Sequence, residues 1–372
     1  PFLSTSSSHE KSRLLKVCAG ENWNYREILD FVKGSDYEYD PLSADKGVVL
    51  KLGIAYSKNS DYLLNGQSGG VSTTIFLSLL ERGIIKNVGA VKRPLSSTNK
   101  STFASQPFIA STREEILKAS GSKYTVCSTL ELIPKLESLD EPYALSLLPC
   151  QTVGYHKLRM ETALGSTSHC KLVIGPFCGF NMDANMGFEL AQSLGINPLE
   201  VKSFQNRSGR FPGITTFETN DGTIIQLDRT AHRPLYRMYS PIRCFTCTDF
   251  TNELADISIA DCWITEGRDY KYPNGAAWVL VRTQQGLEAL DTAIEADLLQ
   301  FYEMPLDAND TGWHESIMHR KVRTYGRISE FRKLGLSVPT FDYPVSTLSP
   351  AIIKSNYTDL FFIRLFRHRL AR

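Results

Sequence analysis

Residues 46–93 constrain the fold of this chain most. The apolar "KGVVLKLGIAYS" predicts a strand pair, and "NGQSGGVSTTIFLSLLERGIIKNVGAVKR" then passes from a glycine turn through a helix into another strand. In that helix Val71, Ile75, Phe76, Leu79 and Leu80 recur at i, i+4, i+5, i+8 and i+9, the spacing of one buried face. Gly83 supplies a left-handed stop. Strand, loop, helix and strand in this order belong to α/β architectures.

The pattern continues downstream. "STREEILKASGSKY" predicts a second helix, with Ser111 or Thr112 as cap and Glu114 and Glu115 at the positive end of the helix dipole. "YALSLLPCQTVGYHKLRM" and "CKLVIGPFCGF" each begin as a short buried strand that ends in a Pro-containing turn and a cysteine. Open α/β sheets place functional groups at such strand ends. A helix is predicted over about 185 to 200, ending near Gly195. Alternating residues around Asp221-Gly222 then mark a hairpin within a small antiparallel insertion, about 200 to 240. "ELADISIADCW" and "AAWVLVRTQQGLEALDTAIEADLL" add two strands and a helix. The predicted class is therefore α/β (α+β mixed), a central mixed sheet flanked by helices with a small antiparallel β insertion.

With 372 residues and 42% apolar content, the chain can bury a large core as two domains or as one domain with insertions. Net charge is +1 with lysines dispersed, which argues against nucleic acid as a partner. No run of about 18 apolar residues predicts a membrane span. The first residues, "PFLSTSSSHEKS", lack Met and an apolar signal core, so residue 1 reads as a processed or trimmed start. The tail "DLFFIRLFRHRLAR" sets Phe361, Phe362, Ile363, Leu365, Phe366 and Leu370 among five basic residues. It suits an anionic membrane surface, a partner protein, or docking on its own chain. The expected location is cytoplasmic, with peripheral membrane contact left open by that tail.

Eight cysteines in a chain of this size, without a secretory signal, read poorly as a disulfide framework. Cys244 and Cys247 form a close pair in "RCFTCTDF", and Cys150 and Cys178 sit at similar strand ends. Four thiolates from several loops, at least one pair close in sequence, suit a 4Fe-4S cluster. A four-cysteine zinc site also takes four thiolates, but it commonly uses two close pairs. Both remain open on spacing alone. Cys18, Cys127, Cys170 and Cys262 default to structural thiols. His314 and His319 of "WHESIMHR" are five apart, which does not match a zinc helix. His156 follows Cys150 by six residues and reads as a surface or core histidine.

"NGQSGG" opens the first predicted helix, where backbone amides can meet an anionic or electron-rich ligand. Gly66, Gln67, Ser68, Gly69, Gly70 and the hydroxyls of Ser72 and Thr73 would face it; the alternative is a tight turn needed for packing. Neither GxGxxG nor GxxxxGK[ST] occurs, so a nicotinamide Rossmann site and a P-loop are unsupported.

Taken in order, "GQSGGVSTTIFLSLLERGIIKNVGAV", "SGSKY", "LLPCQTVGYHKLR", "IGPFCGF", "CFTCTDFTNELADISIADCW" and "NGAAWVLVRTQQGLEAL" resemble the coenzyme F420 hydrogenase/dehydrogenase beta-subunit family, which includes the 7-hydroxymethyl chlorophyll a reductases. The resemblance spans about 50 to 290. It implies FAD beside one 4Fe-4S cluster on an α/β scaffold. It carries the four ligand positions onto Cys150, Cys178, Cys244 and Cys247. The flavin loop falls on Ser68, Gly69 and Gly70, with Gly66 and Gln67 before it and Ser72 and Thr73 after. Ser122, Lys123 and Tyr124 of "GSKY", together with Asn252, are expected beside the flavin. Lys123 would stabilise an anionic reduced flavin, the alternative being a solvated lysine, and Asp249 would act at or brace the cluster loop.

Three departures accompany the resemblance. No N-terminal ferredoxin-like module is visible, "VCAG" at Cys18 being its last trace; Ala260-Asp261 stands where relatives tend to have "GD"; and "LLPCQ" replaces "GTPCQ". The implied organisation is a lead-in over 1–45, a flavin and iron–sulfur region over 46–300, and a helical C-terminal region over 301–372. The expected function is a flavin iron–sulfur oxidoreductase acting on an organic substrate or deazaflavin. Its electron donor would be a ferredoxin or reduced deazaflavin, and homo-oligomerisation stays open. Alternatives are a non-catalytic electron-transfer subunit of a larger complex and a zinc-stapled binding scaffold.

Overall fold

The computed structural model describes residues 15–34, 46–94, 100–162, 169–228, 233–266, 268–306, 313–342 and Phe361. Its centre is an eight-stranded mixed sheet built from β1 (Lys51–Ser57), β2 (Asn87–Lys92), β3 (Gln106–Ala110), β4 (Tyr143–Ser146), β5 (Cys170–Pro176), β6 (Ile257–Asp261), β7 (Ala277–Val281) and β8 (Leu299–Met304). The spatial order is β8-β1-β7-β6-β5-β4-β2-β3. β6, β5, β4 and β2 are parallel neighbours, and the flanking pairs are antiparallel. The four parallel strands are joined by crossovers, so their C-terminal ends open on one edge of the sheet.

The first stretch gives one strand rather than the predicted pair, because Lys46–Leu50 run into β1 without a ladder of their own. α1 (Val71–Glu81) buries Val71, Ile75, Phe76, Leu77 and Leu79, and Gly83 follows it with φ 70. α2 (Arg113–Lys118) starts from a capping box in which Thr112 accepts from the Glu115 amide. α3 (Pro149–Glu161) follows β4, and α4 (Gln284–Glu295) shares a core with α1 through Ala289, Leu290 and Ala293. The predicted insertion is a three-stranded antiparallel sheet, Val201–Ser208, Ile214–Thr219 and Ile224–Leu227, with Gly222 at φ 86 in its hairpin.

The N-terminal lead-in is not merely polar. Asn22–Trp23 pairs in parallel with Thr340–Phe341, and the helix Tyr25–Lys33 begins on the Asp342 carboxylate, which accepts from the amides of Tyr25 (2.9 Å), Arg26 (2.7 Å) and Glu27 (3.1 Å). Trp23, Ile28 and Leu29 are fully buried with Tyr325 and Ile328 of α5 (Trp313–Lys333), beside Val153, Cys150 and Cys247. Three bulky apolar side chains spaced over one helical turn and its lead outweigh the polar composition around them. The segments 1–14 and 35–45 lie outside the described residues, as does the basic aromatic tail apart from Phe361. No helix among the described residues is long and apolar enough to cross a membrane.

Candidate functional site

β4 runs through Leu147 and Leu148 into α3, whose first turn is opened by Pro149 and carries Cys150. Cys150 is thus helical rather than at a turn, since a proline at the first helical position forfeits no intrahelical bond. β5 delivers Cys178, whose amide donates to the Phe250 carbonyl at 3.1 Å. A short helix, Ile242–Phe245, holds Cys244, and Cys247 follows with its Sγ 3.3 Å from the Asp249 carbonyl oxygen. Asn252 ties these ends together. Its Nδ2 donates to Leu147 at 2.7 Å and to Pro176 at 3.4 Å, the residues that close β4 and β5. Gly175 is obligatory beside it, because a Cβ there would stand 2.3 Å from the Asn252 side chain.

The four thiols are electrostatic neighbours. Burial pushes Cys178 well up, and Cys150, Cys247 and Cys244 each add to that rise. Burial pushes Cys150 up to about 11, with Cys244 contributing. Cys247 is raised by burial and then by Cys150, and Cys244 by burial. Arg243 opposes the rise at Cys150, Cys244 and Cys247, and Arg320 opposes it at Cys178. Among the described residues no group of three or more His, Cys, Asp or Glu is arranged to hold a metal ion as the chain stands. Proximity of four protonated thiols and a finished coordination shell are different things, and the first is what the mutual shifts describe.

A cavity of about 1560 Å³ joins this sulfur end to the glycine loop. That is above the roughly 300–1,000 Å³ usual for a single small-molecule site. Its wall includes Cys178, Cys244 and Cys247 at one end and Gly66, Gln67, Ser68, Gly70, Ser72 and Thr73 at the other. Gly70 has φ 67, and a Cβ on it would lie 2.2 Å from the Tyr62 carbonyl oxygen, so the turn into α1 requires glycine there. Ser122, Lys123 and Tyr124 also line the cavity. The Lys123 ammonium donates to the carbonyls of Ala119, Ser120 (2.9 Å) and Gly121 (3.0 Å), while burial and then Arg93 push its pKa down.

Several expected site residues stand elsewhere. Gly69, Cys150, Asp249 and Asn252 do not line the cavity. Asn252 is fully buried, and the Asp249 carboxylate accepts from the Glu253 amide at 3.0 and 3.2 Å. Glu253 in turn pairs with Lys321 and accepts from Tyr25 at 2.5 Å. Burial and the Glu253 charge raise Asp249 to about 7. His156 is a core histidine with Nε2 2.9 Å from the Leu254 carbonyl oxygen.

Other groups on the wall carry no motif. Arg207, 4% exposed, donates to Asp261 at 2.8 Å and to the Pro212 carbonyl at 2.7 Å, and Asp261 also accepts from Ser68 of the glycine loop. Phe211, Trp263 and Tyr270 cluster beside it, with Phe211 centroids 4.9 and 5.1 Å from the other two. α5 adds Arg320, Lys321, Arg323 and Arg327. Among the described residues the lining therefore holds these four and Arg207, with Lys123 when protonated, against the carboxylate of Asp261, a field suited to anionic ligands.

Sequence comparison matches residues 54–134 to the N-terminal region, and residues 140–306 to the C-terminal region, of the coenzyme F420 hydrogenase/dehydrogenase beta subunit. The chain belongs to this family. Its similarity to two coenzyme F420 hydrogenase beta subunits runs nearly the length of those proteins. It is 25% identical over 299 residues to the coenzyme F420 hydrogenase subunit beta of Methanothermobacter thermautotrophicus, covering 79% of this chain and 99% of that protein. For the subunit of the same description in Methanococcus voltae the figures are 26% over 294 residues, 77% and 96%. The coenzyme F420-dependent sulfite reductase of Methanocaldococcus jannaschii is 26% identical over 258 residues, 64% of this chain and 36% of that protein. A chain in the structure of the F420-reducing NiFe hydrogenase complex from Methanosarcina barkeri shares the fold, with TM-score 0.63 at 18% identity over 82% of this chain and 98% of that one. The family match ends at residue 306, so α5 lies beyond it.

Proposed function

We propose that the chain is a flavin- and iron–sulfur-dependent oxidoreductase that exchanges electrons with a deazaflavin of the coenzyme F420 type or a related organic substrate. One observation carries this reading: a cavity runs from Cys178, Cys244 and Cys247, with Cys150 as their buried neighbour, to a glycine loop at a helix start, beside several cationic side chains. The donor set is all thiol, which suits iron–sulfur ligation by Cys150, Cys178, Cys244 and Cys247. A bound flavin would accept two electrons as a hydride and release them singly to such a cluster.

The chain's own residues supply the rest. Gly66, Gly69 and Gly70 let the loop pack directly against Tyr62, Tyr56 and Ala276, where a Cβ would stand 2.2–2.9 Å from the nearest backbone atom, and so set the start of α1 at the cavity. The Arg207–Asp261–Ser68 chain fixes that loop against β6 and the insertion. Lys123, held by three carbonyls at the end of α2, contributes positive charge at a fixed point when protonated. A non-catalytic electron-relay subunit is the second reading, favoured by likeness to beta subunits that are parts of hydrogenases.

Iron, sulfide and flavin are to be assayed on anaerobically purified protein, followed by turnover of the isolated chain with an artificial electron donor and F420. Flavin, iron and sulfide with turnover support the first reading. The same cofactors without turnover support the relay, and zinc without flavin overturns both.

A further inference from the structure

α5 turns one face toward the sulfur end. Ile317, Arg320, Lys321, Arg323, Thr324 and Arg327 line the cavity, and all but Arg323 fall at i, i+3, i+4, i+7 and i+10, a single helical stripe. Arg320 sits on both loops that flank Cys178. Its guanidinium lies 4.3 Å from the Phe250 ring centroid, and a Cβ on Gly179 would stand 2.4 Å from its Nη1. Arg327 donates from Nε to the Phe245 carbonyl at 2.9 Å, between Cys244 and Cys247, and from Nη2 to Thr324 at 2.7 Å. Lys321 is committed to Glu253. Among the described residues of this helix, Arg320 is the one whose guanidinium lies against Gly179, next to Cys178, and acts on that thiol.

We infer that the arginine face of α5, led by Arg320, holds the reduction potential of the sulfur end higher than the four cysteines and their loops would alone. This rests on the reading that those cysteines hold an iron–sulfur cluster. Each added electron makes a thiolate-ligated cluster more negative, so a fixed positive charge beside it stabilises the reduced form more than the oxidised one. The potential of such a group follows net charge, hydrogen bonding and exposure. α5 lies beyond the residues matched to the family.

The test compares Arg320→Gln and Arg320→Lys with the unaltered full chain, each purified anaerobically and assayed for iron and sulfide. The one-electron midpoint is then read by dye-equilibrium titration with spectroscopic detection. The expected result is unchanged iron content with the midpoint of Arg320→Gln lowered by at least about 59 mV, a tenfold shift in the one-electron equilibrium. Arg320→Lys should recover most of that shift. Equal midpoints in all three loaded proteins overturn the inference while leaving the functional reading intact. Absence of iron and sulfide from the unaltered chain removes both. Should Arg320→Gln not retain iron, the comparison is made on Arg327→Gln, which belongs to the same stripe and contacts the loop between Cys244 and Cys247, with the same two outcomes.

Discussion

Asn252 donates from Nδ2 to the Leu147 carbonyl at 2.7 Å, fastening the end of β4 to the loop that follows the cysteine pair. It does so from a left-handed backbone, φ 59, which asparagine tolerates better than most residues. This residue is a clasp between the segments that carry Cys150, Cys178 and Cys247, and it has no face on the cavity.

Replacing it should therefore act on assembly. Asn252→Ala leaves the buried Leu147 carbonyl without this donor, at about 1–3 kcal/mol, and adds about 1 kcal/mol for the left-handed backbone. A lower melting temperature, together with less iron per chain, is the expected outcome. Asn252→Gly, which relieves only the backbone cost, should fall between the variant and the parent in thermal unfolding.

The cysteines divide into two groups. Cys150→Ser, Cys178→Ser, Cys244→Ser and Cys247→Ser should each cost most of the iron and sulfide. Cys170→Ser and Cys262→Ser should retain both, since neither thiol appears among the neighbours that shift the four. Metal analysis of the six proteins decides the grouping, and iron loss in the second pair would break it.

Arg207 joins the insertion to Asp261 and, through it, to Ser68. Arg207→Met leaves Asp261 on the cavity wall without that cation. Hydrogen bonds to charged groups contribute about 1.5–3 kcal/mol, so flavin binding to stripped protein should weaken by about tenfold to a hundredfold. Fluorescence quenching titration measures this directly.

His156 predicts an acid sensitivity. Burial, then Arg159, lowers it from 6.5 to about 3 in the folded chain, so unfolding takes up a proton between those values. A depressed folded pKa gives stability that is fully present above pH 6.5 and lost as pH falls toward 3, at up to about 1.4 kcal/mol per pH unit. His156→Gln keeps an amide donor toward the Leu254 carbonyl and cannot titrate. Between pH 7 and 5 the unaltered chain should lose about 2 kcal/mol more than the variant in urea unfolding.

Much of the architecture is legible in residue order because local signals agree with the fold. The 3.6-residue period of α1, the capping box of α2, the apolar runs of β4 and β5 and the Asp221-Gly222 hairpin each encode their own element. The glycine loop and the order of the cysteine motifs point to one redox site for the same reason. What escapes is chemistry made by distant pairs. Arg207 and Asp261 are 54 positions apart, and Lys321 and Glu253 are 68 apart, with no motif on the arginine or lysine. α5 was legible only as a helix whose histidines miss zinc spacing, because its function lies in which face the core turns inward. Lys123 reads as a basic residue beside a flavin, while the fold also uses its ammonium to close the carbonyls after α2.

The two-rung ladder between Asn22–Trp23 and Thr340–Phe341, with Asp342 seated on the helix that starts at Tyr25, joins positions 317 residues apart. That closure backs the core holding Cys150 and Cys247. During synthesis the early segment must wait for the late one, so the rear wall of the thiol chamber exists only once Phe341 has been made.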